Sequence, residues 1–281
     1  MTTIQALLIA LLQGVTELFP VSSLGHAVIV PALLRWNLDE RSLTFLPFLV
    51  MLHVGTAAAL LLFFWRDWTA LARGAIGAAG PLQVKESRHI VGLIVIATLP
   101  AVVIGYTLEA FLRRLFGTPE IAAIFLAANG FILLAADRLR ARFPEDIDRP
   151  IASLTAIDAL LIGCWQCIAF LPGISRSGVT ITGGLLRGIN HQAAARFSFL
   201  IALPVILAAT MSQALKLHHA HFGFATLRPV LWGAIVAAIT AWLSTAFLMQ
   251  YFRDHEAWAL RPFAIYSIVA GTGSAIALLF F

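Results

Sequence analysis

The chain is predicted to be an all-α polytopic membrane protein with an inverted-topology repeat. Each half is a broken re-entrant helix pair followed by three transmembrane helices. Three observations lead there. Hydrophobic residues fill 60% of the 281 positions and charged residues 12%, with mean hydropathy +0.90; soluble domains carry about 25% charged residues. Apolar stretches recur that are long enough to cross ~30 Å of hydrocarbon, which takes ~20 helical residues. Two of these stretches are broken near their middle by Pro and Gly beside ionisable side chains. Such interruptions survive at membrane depth only where protein or a water-filled cavity surrounds them.

Taken in order, the first broken stretch covers 3–36, and unbroken stretches follow at 44–65, 90–108 and 119–137. The most hydrophilic interruption, 138–150, holds Arg138, Arg140, Arg142, Glu145, Asp146, Asp148 and Arg149. It falls at mid-chain and reads as a cytoplasmic linker between repeat halves 1–137 and 151–281 of one integral membrane domain. The second broken stretch, 152–188, is followed by 195–215, 229–250 and 262–281. When Phe19-Pro20 is laid on Leu171-Pro172, Ser23 meets Ser175 and Phe45 meets Phe197, and the order of elements agrees. An odd number of spans per half turns the second half over, as in transporters whose broken helices meet near the midplane.

The charge pattern orients the spans. The net charge of +5 is not gathered into the basic stripe that tracks nucleic acid. Segments 66–89, 138–150, 187–196 and 253–261 hold twelve Lys and Arg, and the opposite loops, including Arg41, Arg113, Arg114 and Lys216, hold six. The excess places the first set in the cytoplasm. The start, Met1-Thr-Thr-Ile-Gln-Ala, lacks a basic region ahead of its apolar run, so no cleavable signal peptide is expected.

Two polar motifs carry the chemistry. In Gln13-Gly-Val-Thr-Glu17-Leu-Phe-Pro20-Val-Ser22-Ser23-Leu-Gly25-His26, Gln13 and Glu17 share one helix face. Pro20 cannot continue that helix, and Ser22 or Ser23 can cap the next one. His26 can project back toward the same turn. An acid, an amide, two hydroxyls and an imidazole together could activate a nucleophile. In Pro172-Gly173-Ile-Ser175-Arg176-Ser177-Gly178-Val-Thr180, Gly173 and Gly178 allow a tight backbone path, and the N–H groups opening the next helix can face an anion. Ser175, Ser177 and Thr180 add donors, and Arg176 can grip a phosphate through two parallel bonds.

These motifs resemble the two signatures of the bacterial undecaprenyl-diphosphate phosphatases, the bacitracin-resistance family. The likeness extends through Leu52-His53-Val-Gly55-Thr56, Ala97-Thr-Leu-Pro100, Ala136-Asp137, Asp158 to Gln166, Phe197-Ser198-Phe199-Leu200 and Arg261-Pro262-Phe263-Ala-Ile-Tyr266. The resemblance implies that Glu17, Ser23, His26 and Arg176 belong to the active site, with Ser175, Ser177 and Thr180 around the phosphate; Ser22, Gly173 and Gly178 are further candidates for contact with it. It implies an active site open to the periplasmic side of the inner membrane and help from a divalent cation such as Mg²⁺, with Glu17 and Gln13 as candidate ligands. Three positions depart from the pattern. Gln13 stands where many members carry Glu, Leu49 where an acidic residue is frequent, and Ser267 where an Arg is common.

The expected reaction is hydrolysis of a polyprenyl diphosphate, by resemblance the C55 carrier of cell-wall synthesis, to the monophosphate and inorganic phosphate. Ser23 is the first choice of nucleophile, with Glu17 and His26 as proton carriers; a water activated by that pair is the alternative. A transporter or flippase of the lipid phosphate is the second reading, since architecture alone does not exclude it. No nucleic-acid partner is expected, and the sequence is silent on oligomeric state, a homodimer being compatible with it. Cys164 and Cys167 read as small apolar side chains rather than a redox or metal pair. His218, His219 and His221 read as a solvated loop, and His53 as bonding a neighbouring helix rather than reacting.

Overall fold

The computed structural model describes residues 1–36, 45–108, 118–142, 149–217 and 224–280. The histidine tract 218–221 and the cations Arg41, Arg113 and Arg114 lie outside the described residues. Among those described there are eleven α-helices and no strand. They are α1 (Thr3–Thr16), α2 (Ser23–Leu33), α3 (Phe45–Phe63), α4 (Trp65–Ala75), α5 (Pro81–Thr107) and α6 (Pro119–Arg140). A 3₁₀ turn (Ile151–Ser153) then leads to α7 (Ala156–Ile168), α8 (Arg176–Leu185), α9 (His191–Leu217), α10 (Phe224–Asp254) and α11 (Arg261–Leu278).

Among the described residues four helices are long and apolar enough to cross a membrane: α5, α6, α9 over His191–Ser212, and α10 over Val230–Asp254. A fifth crossing results if α3 and α4, bent by 73° at Phe64, count as one. This supports a multi-pass membrane protein. Within the stretch 262–281, α11 is a helix of 18 residues that opens on Arg261 and is not among those four. Large apolar side chains point outward, among them Ile4, Leu62, Phe131 and Val269, each at least 60% exposed, as lipid-facing surfaces require. Helix α4 turns aside from α3 and sets the Arg66 guanidinium over the Trp65 ring at 5.5 Å, the composition of a helix lying along a membrane surface.

Both broken pairs are punctuated by caps. Thr2 and Gln5 form a capping box on α1, and Thr155 and Asp158 form one on α7. Ser22 caps α2 through the Gly25 N–H, and Ser175 caps α8 through the Gly178 N–H. Helix α1 packs on α10 while α7 packs on α5, and α6 lies against α11. Small residues permit that last approach: a Cβ at Gly130 would lie 2.5 Å from the Ala264 carbonyl oxygen, and one at Gly271 2.3 Å from the Ala127 nitrogen. The largest core cluster includes Leu18, Leu133, Ile181, Phe197, Phe199 and Leu248, and so joins both polar turns to the long helices.

A buried polar lock closes the C-terminal end of α6. Asp137 accepts from the Leu260 N–H at 3.1 Å and meets the His191 ring at 3.1 Å. Glu256 accepts from the His191 backbone N–H at 3.0 Å and pairs with Arg140 at 3.2 Å. Partial burial raises the Glu256 carboxyl, but its bonds and charge contacts with His191 and Arg140 outweigh that and hold it below the ordinary carboxylate value.

Candidate active site

The site begins where two helices stop. Helix α1 ends at Thr16 because Pro20 cannot continue it, which leaves the Phe19 and Pro20 carbonyls without helical donors. The second turn supplies them. Ser175 and Ser177 hydroxyls reach the Phe19 carbonyl at 3.3 and 3.0 Å, and the Asn129 amide donates to the Pro20 carbonyl at 2.9 Å. The Asn129 carbonyl oxygen in turn accepts the Ser175 N–H at 3.0 Å, so one buried side chain of α6 ties both turns together.

That seam brings the charged groups into contact. Glu17 Oε2 accepts from the Ser23 hydroxyl at 2.6 Å and from the Gln13 amide at 2.9 Å. Its other oxygen accepts from the Arg176 guanidinium at 3.3 Å, and a second Arg176 nitrogen reaches the Ser198 carbonyl at 3.4 Å. Glu17 and Arg176 side chains are 7% and 14% exposed. A carboxylate and guanidinium this buried persist only as a pair. Ser23 is the first residue of α2, just after the Ser22 cap, so its hydroxyl is not needed to cap the helix.

Other expected residues also bond within the protein. Ser175 caps α8 and contacts the Ser177 hydroxyl at 3.0 Å, while Thr180 bonds the Arg176 carbonyl at 2.8 Å and the Ser198 hydroxyl at 2.6 Å. All three are buried and engaged within the protein, so in this arrangement they hold Arg176 and the turn in place. The N–H groups of Arg176 and Ser177 have no helical carbonyl by their place in the first turn. Gly178 serves as the N–H donor to Ser175 rather than as a tight bend. Gly173 is the true bend, with φ of +99°.

A Cβ at Gly173 would also lie 2.1 Å from the Ala122 carbonyl oxygen. Gly173→Ala therefore combines left-handed strain with a backbone clash. It is expected to cost about 3 kcal/mol or more, seen as a large drop in the melting temperature of the detergent-solubilised protein.

His26 does not reach Glu17 or Ser23 by a hydrogen bond. Ser22 has φ of +68°, and its carbonyl takes the His26 Nδ1 at 2.6 Å, while Nε2 faces the Tyr266 hydroxyl at 2.7 Å. The imidazole that does approach Glu17 is His53. As expected it bonds a neighbouring helix, and the partner is Gln13 at 3.3 Å, with Glu17 Oε2 at 3.7 Å. His53 Nδ1 lies 2.8 Å from the Leu49 carbonyl, which can only accept, so in the neutral ring Nε2 is the acceptor and Gln13 turns its NH₂ group inward. Ser267 is buried and receives the Asn129 amide at 3.4 Å.

Among the described residues no three His, Cys, Asp or Glu side chains gather to hold a metal. The donor set suits Mg²⁺ in another way. That ion keeps several waters and is commonly bound by one or two carboxylates together with substrate phosphates, and Glu17 supplies one such carboxylate. Cys164 and Cys167 are free thiols on α7, and Cys167 bonds only the Gly163 carbonyl of its own helix, at 3.4 Å.

Comparison with known proteins gives a consistent picture. The family model described as "Bacitracin resistance protein BacA" matches residues 6–273. The undecaprenyl-diphosphatase of Granulibacter bethesdensis is 58% identical over 283 residues, covering 98% of this chain and 96% of its own. That of Gluconacetobacter diazotrophicus is 58% identical over 274 residues with the same coverage. The undecaprenyl-diphosphatase of Mycolicibacterium paratuberculosis is 42% identical over 298 residues, covering 97% of this chain and 96% of its own.

Proposed function

Because this chain belongs to the bacitracin resistance protein BacA family, we infer that it hydrolyses undecaprenyl diphosphate to undecaprenyl phosphate and inorganic phosphate. The reaction opens a phosphoric anhydride and returns the lipid carrier to cell-wall synthesis. The observation that carries this reading is the contact of Glu17, Ser23 and Arg176 inside an apolar helical protein. A diphosphate on a lipid tail is a substrate that suits both surroundings. A carrier that only moves the lipid is not favoured by relatives that are diphosphatases.

The residues suggest the following steps. Arg176 and the opening N–H groups of α8 hold the terminal phosphate and stabilise charge on it as it transfers. The Ser23 oxygen forms a bond to the terminal phosphorus, the bond from that phosphorus to the bridging oxygen breaks, and undecaprenyl phosphate leaves. The Ser23 proton passes to Glu17 Oε2, which already accepts it at 2.6 Å. Glu17 hands that proton to the departing undecaprenyl phosphate, then takes one from the water that attacks the phosphoserine and returns it to the Ser23 oxygen as orthophosphate departs. In the alternative, Glu17 activates water to attack the diphosphate directly. His26, the other proton carrier expected, bonds Ser22 and Tyr266 rather than Glu17 or Ser23, and no step here passes through it. Mg²⁺ held by Glu17, with Gln13 beside it, would neutralise phosphate charge during transfer.

The matching caps support an inverted repeat. Thr2 and Thr155, Gln5 and Asp158, Ser22 and Ser175, and Gly25 and Gly178 are separated by the same number of residues. This register sets Ser22 rather than Ser23 opposite Ser175, and puts Ser23 opposite Arg176. Nucleophile and phosphate grip would then be equivalent positions of two inverted halves, 1–137 and 151–281, joined by 138–150. The Lys and Arg excess supports an inner-membrane orientation in which the site opens to the periplasm.

The test is phosphate release from a C55 or C15 prenyl diphosphate by the detergent-purified chain, where no second compartment exists. One orthophosphate per lipid monophosphate is expected, slowed by EDTA. Folded protein that releases none would overturn the reading, and indifference to EDTA would remove the metal alone.

A further inference from the structure

The caps of α2 and α8 match in one respect and differ in another. Ser22 and Ser175 each accept from the N–H three residues on, Gly25 at 3.2 Å and Gly178 at 3.1 Å. Ser175 has the extended backbone usual for a cap, with φ of −83° and ψ of +125°. Ser22 has φ of +68° and ψ of +99°, a conformation that a residue other than glycine keeps only when its surroundings impose it. The carbonyls differ as well. That of Ser175 accepts the Val179 N–H at 2.9 Å, whereas that of Ser22 meets the His26 N–H only at 3.3 Å.

The His26 side chain holds the Ser22 carbonyl instead. Its Nδ1 lies 2.6 Å away, and because a backbone carbonyl can only accept, that nitrogen carries the proton. In the neutral ring Nε2 is then the lone pair, and the Tyr266 hydroxyl 2.7 Å away donates to it. The position that matches His26 in the second turn is Val179, whose side chain has no donor. The Ser22 carbonyl belongs to the peptide unit whose nitrogen is that of Ser23. The imidazole therefore grips the peptide that aims the Ser23 hydroxyl at Glu17 Oε2, 2.6 Å away.

We propose that His26 is a positioning residue of the phosphatase: its Nδ1–H holds the Ser22–Ser23 peptide in a strained turn and so presents the Ser23 oxygen. No proton is transferred to or from its ring. Without that donor Ser22 relaxes toward the extended cap that Ser175 shows, and the Ser23 oxygen moves out of line. Of the two turns, the strain sits in the one that carries Ser23, as expected where a backbone is bent for function. The proposal rests on the diphosphatase reading and on Ser23 as the attacking group.

Asparagine and glutamine tell the two ring nitrogens apart. The amide nitrogen of Asn can take the place of Nδ1 and that of Gln the place of Nε2, and neither amide titrates. His26→Asn therefore keeps the donor to the Ser22 carbonyl, while the half-exposed Tyr266 hydroxyl turns to solvent. Rates are taken per mole of folded, detergent-purified protein on a C15 prenyl diphosphate. The kcat of His26→Asn is expected within about tenfold of wild type with both limbs of the pH profile in place, where loss of a proton carrier would cost about 10²–10⁴-fold. His26→Gln and His26→Ala should each fall about a hundredfold, the scale of loss for a reacting group displaced by about 1 Å. His26→Asn as slow as His26→Ala, or lacking one limb of the profile, would make the ring a proton carrier and overturn the proposal. So would wild-type kcat in His26→Ala, or a His26→Asn chain that no longer melts cooperatively. Wild-type protein assayed in parallel separates the two levels: if it releases no phosphate, the diphosphatase reading fails first and the positioning role with it.

Discussion

Glu17→Gln is expected to lower phosphate release by roughly 10²–10⁴-fold, the range for removing a positioned acid–base group. Glu17 is the junction of the site, accepting from Ser23, Gln13 and Arg176 at once. Glutamine keeps the volume and can still accept from Ser23, but it cannot hold a transferred proton and does not balance the Arg176 guanidinium. Glu17→Ala removes more. It leaves a guanidinium only 14% exposed without its carboxylate, and breaking a buried pair costs about 3–5 kcal/mol. Part of its lost activity will therefore be lost folding, which is why the glutamine variant is the cleaner probe. The check is kcat per mole of folded protein, with a melting curve beside it. A glutamine variant within tenfold of wild type would show that no proton passes through this carboxylate.

Ser23→Ala carries the next largest effect and separates the two routes to attack. The Ser22 side chain makes the cap of α2, so the helix start does not depend on Ser23. Stability should change little, because Glu17 retains Gln13 and Arg176. Loss of the attacking atom should cost on the order of 10³ or more in kcat. Retention of about a tenth of wild-type activity would assign the attack to water, with Ser23 reduced to a hydrogen-bond donor. Rapid-quench labelling from a terminally labelled diphosphate gives the independent readout, a phosphoserine present in wild type and missing from the variant.

What the sequence disclosed follows from what is local. Pro20 and the Gly173 bend are breakers whatever surrounds them, and Gln13 and Glu17 share a helix face by spacing alone. The Glu17–Arg176 contact joins residues 159 positions apart, yet two opposite charges in apolar surroundings have few ways to be stable apart. The hydroxyls were less legible. Ser175, Ser177 and Thr180 read as phosphate donors, and a sequence hides the acceptors such hydroxyls also meet within the protein. Here the Phe19 carbonyl, freed by Pro20, and the Arg176 carbonyl are those acceptors. Asn129 was invisible for a related reason: a lone amide in an apolar helix has no periodic signature, and its partners lie in two distant turns. His53 and Tyr266 stood within stretches that the family resemblance flagged, but nothing in their spacing says which faces of α3 and α11 meet the site.

The most direct measurement is the initial rate of phosphate release from a C55 prenyl diphosphate by detergent-purified wild type, Glu17→Gln and Arg176→Gln in parallel. The contact of Glu17, Ser23 and Arg176 predicts steady release by wild type and a loss of at least a hundredfold in each variant while both still melt cooperatively. Equal release by all three would mean that the phosphoryl group is transferred somewhere other than the seam between the two polar turns.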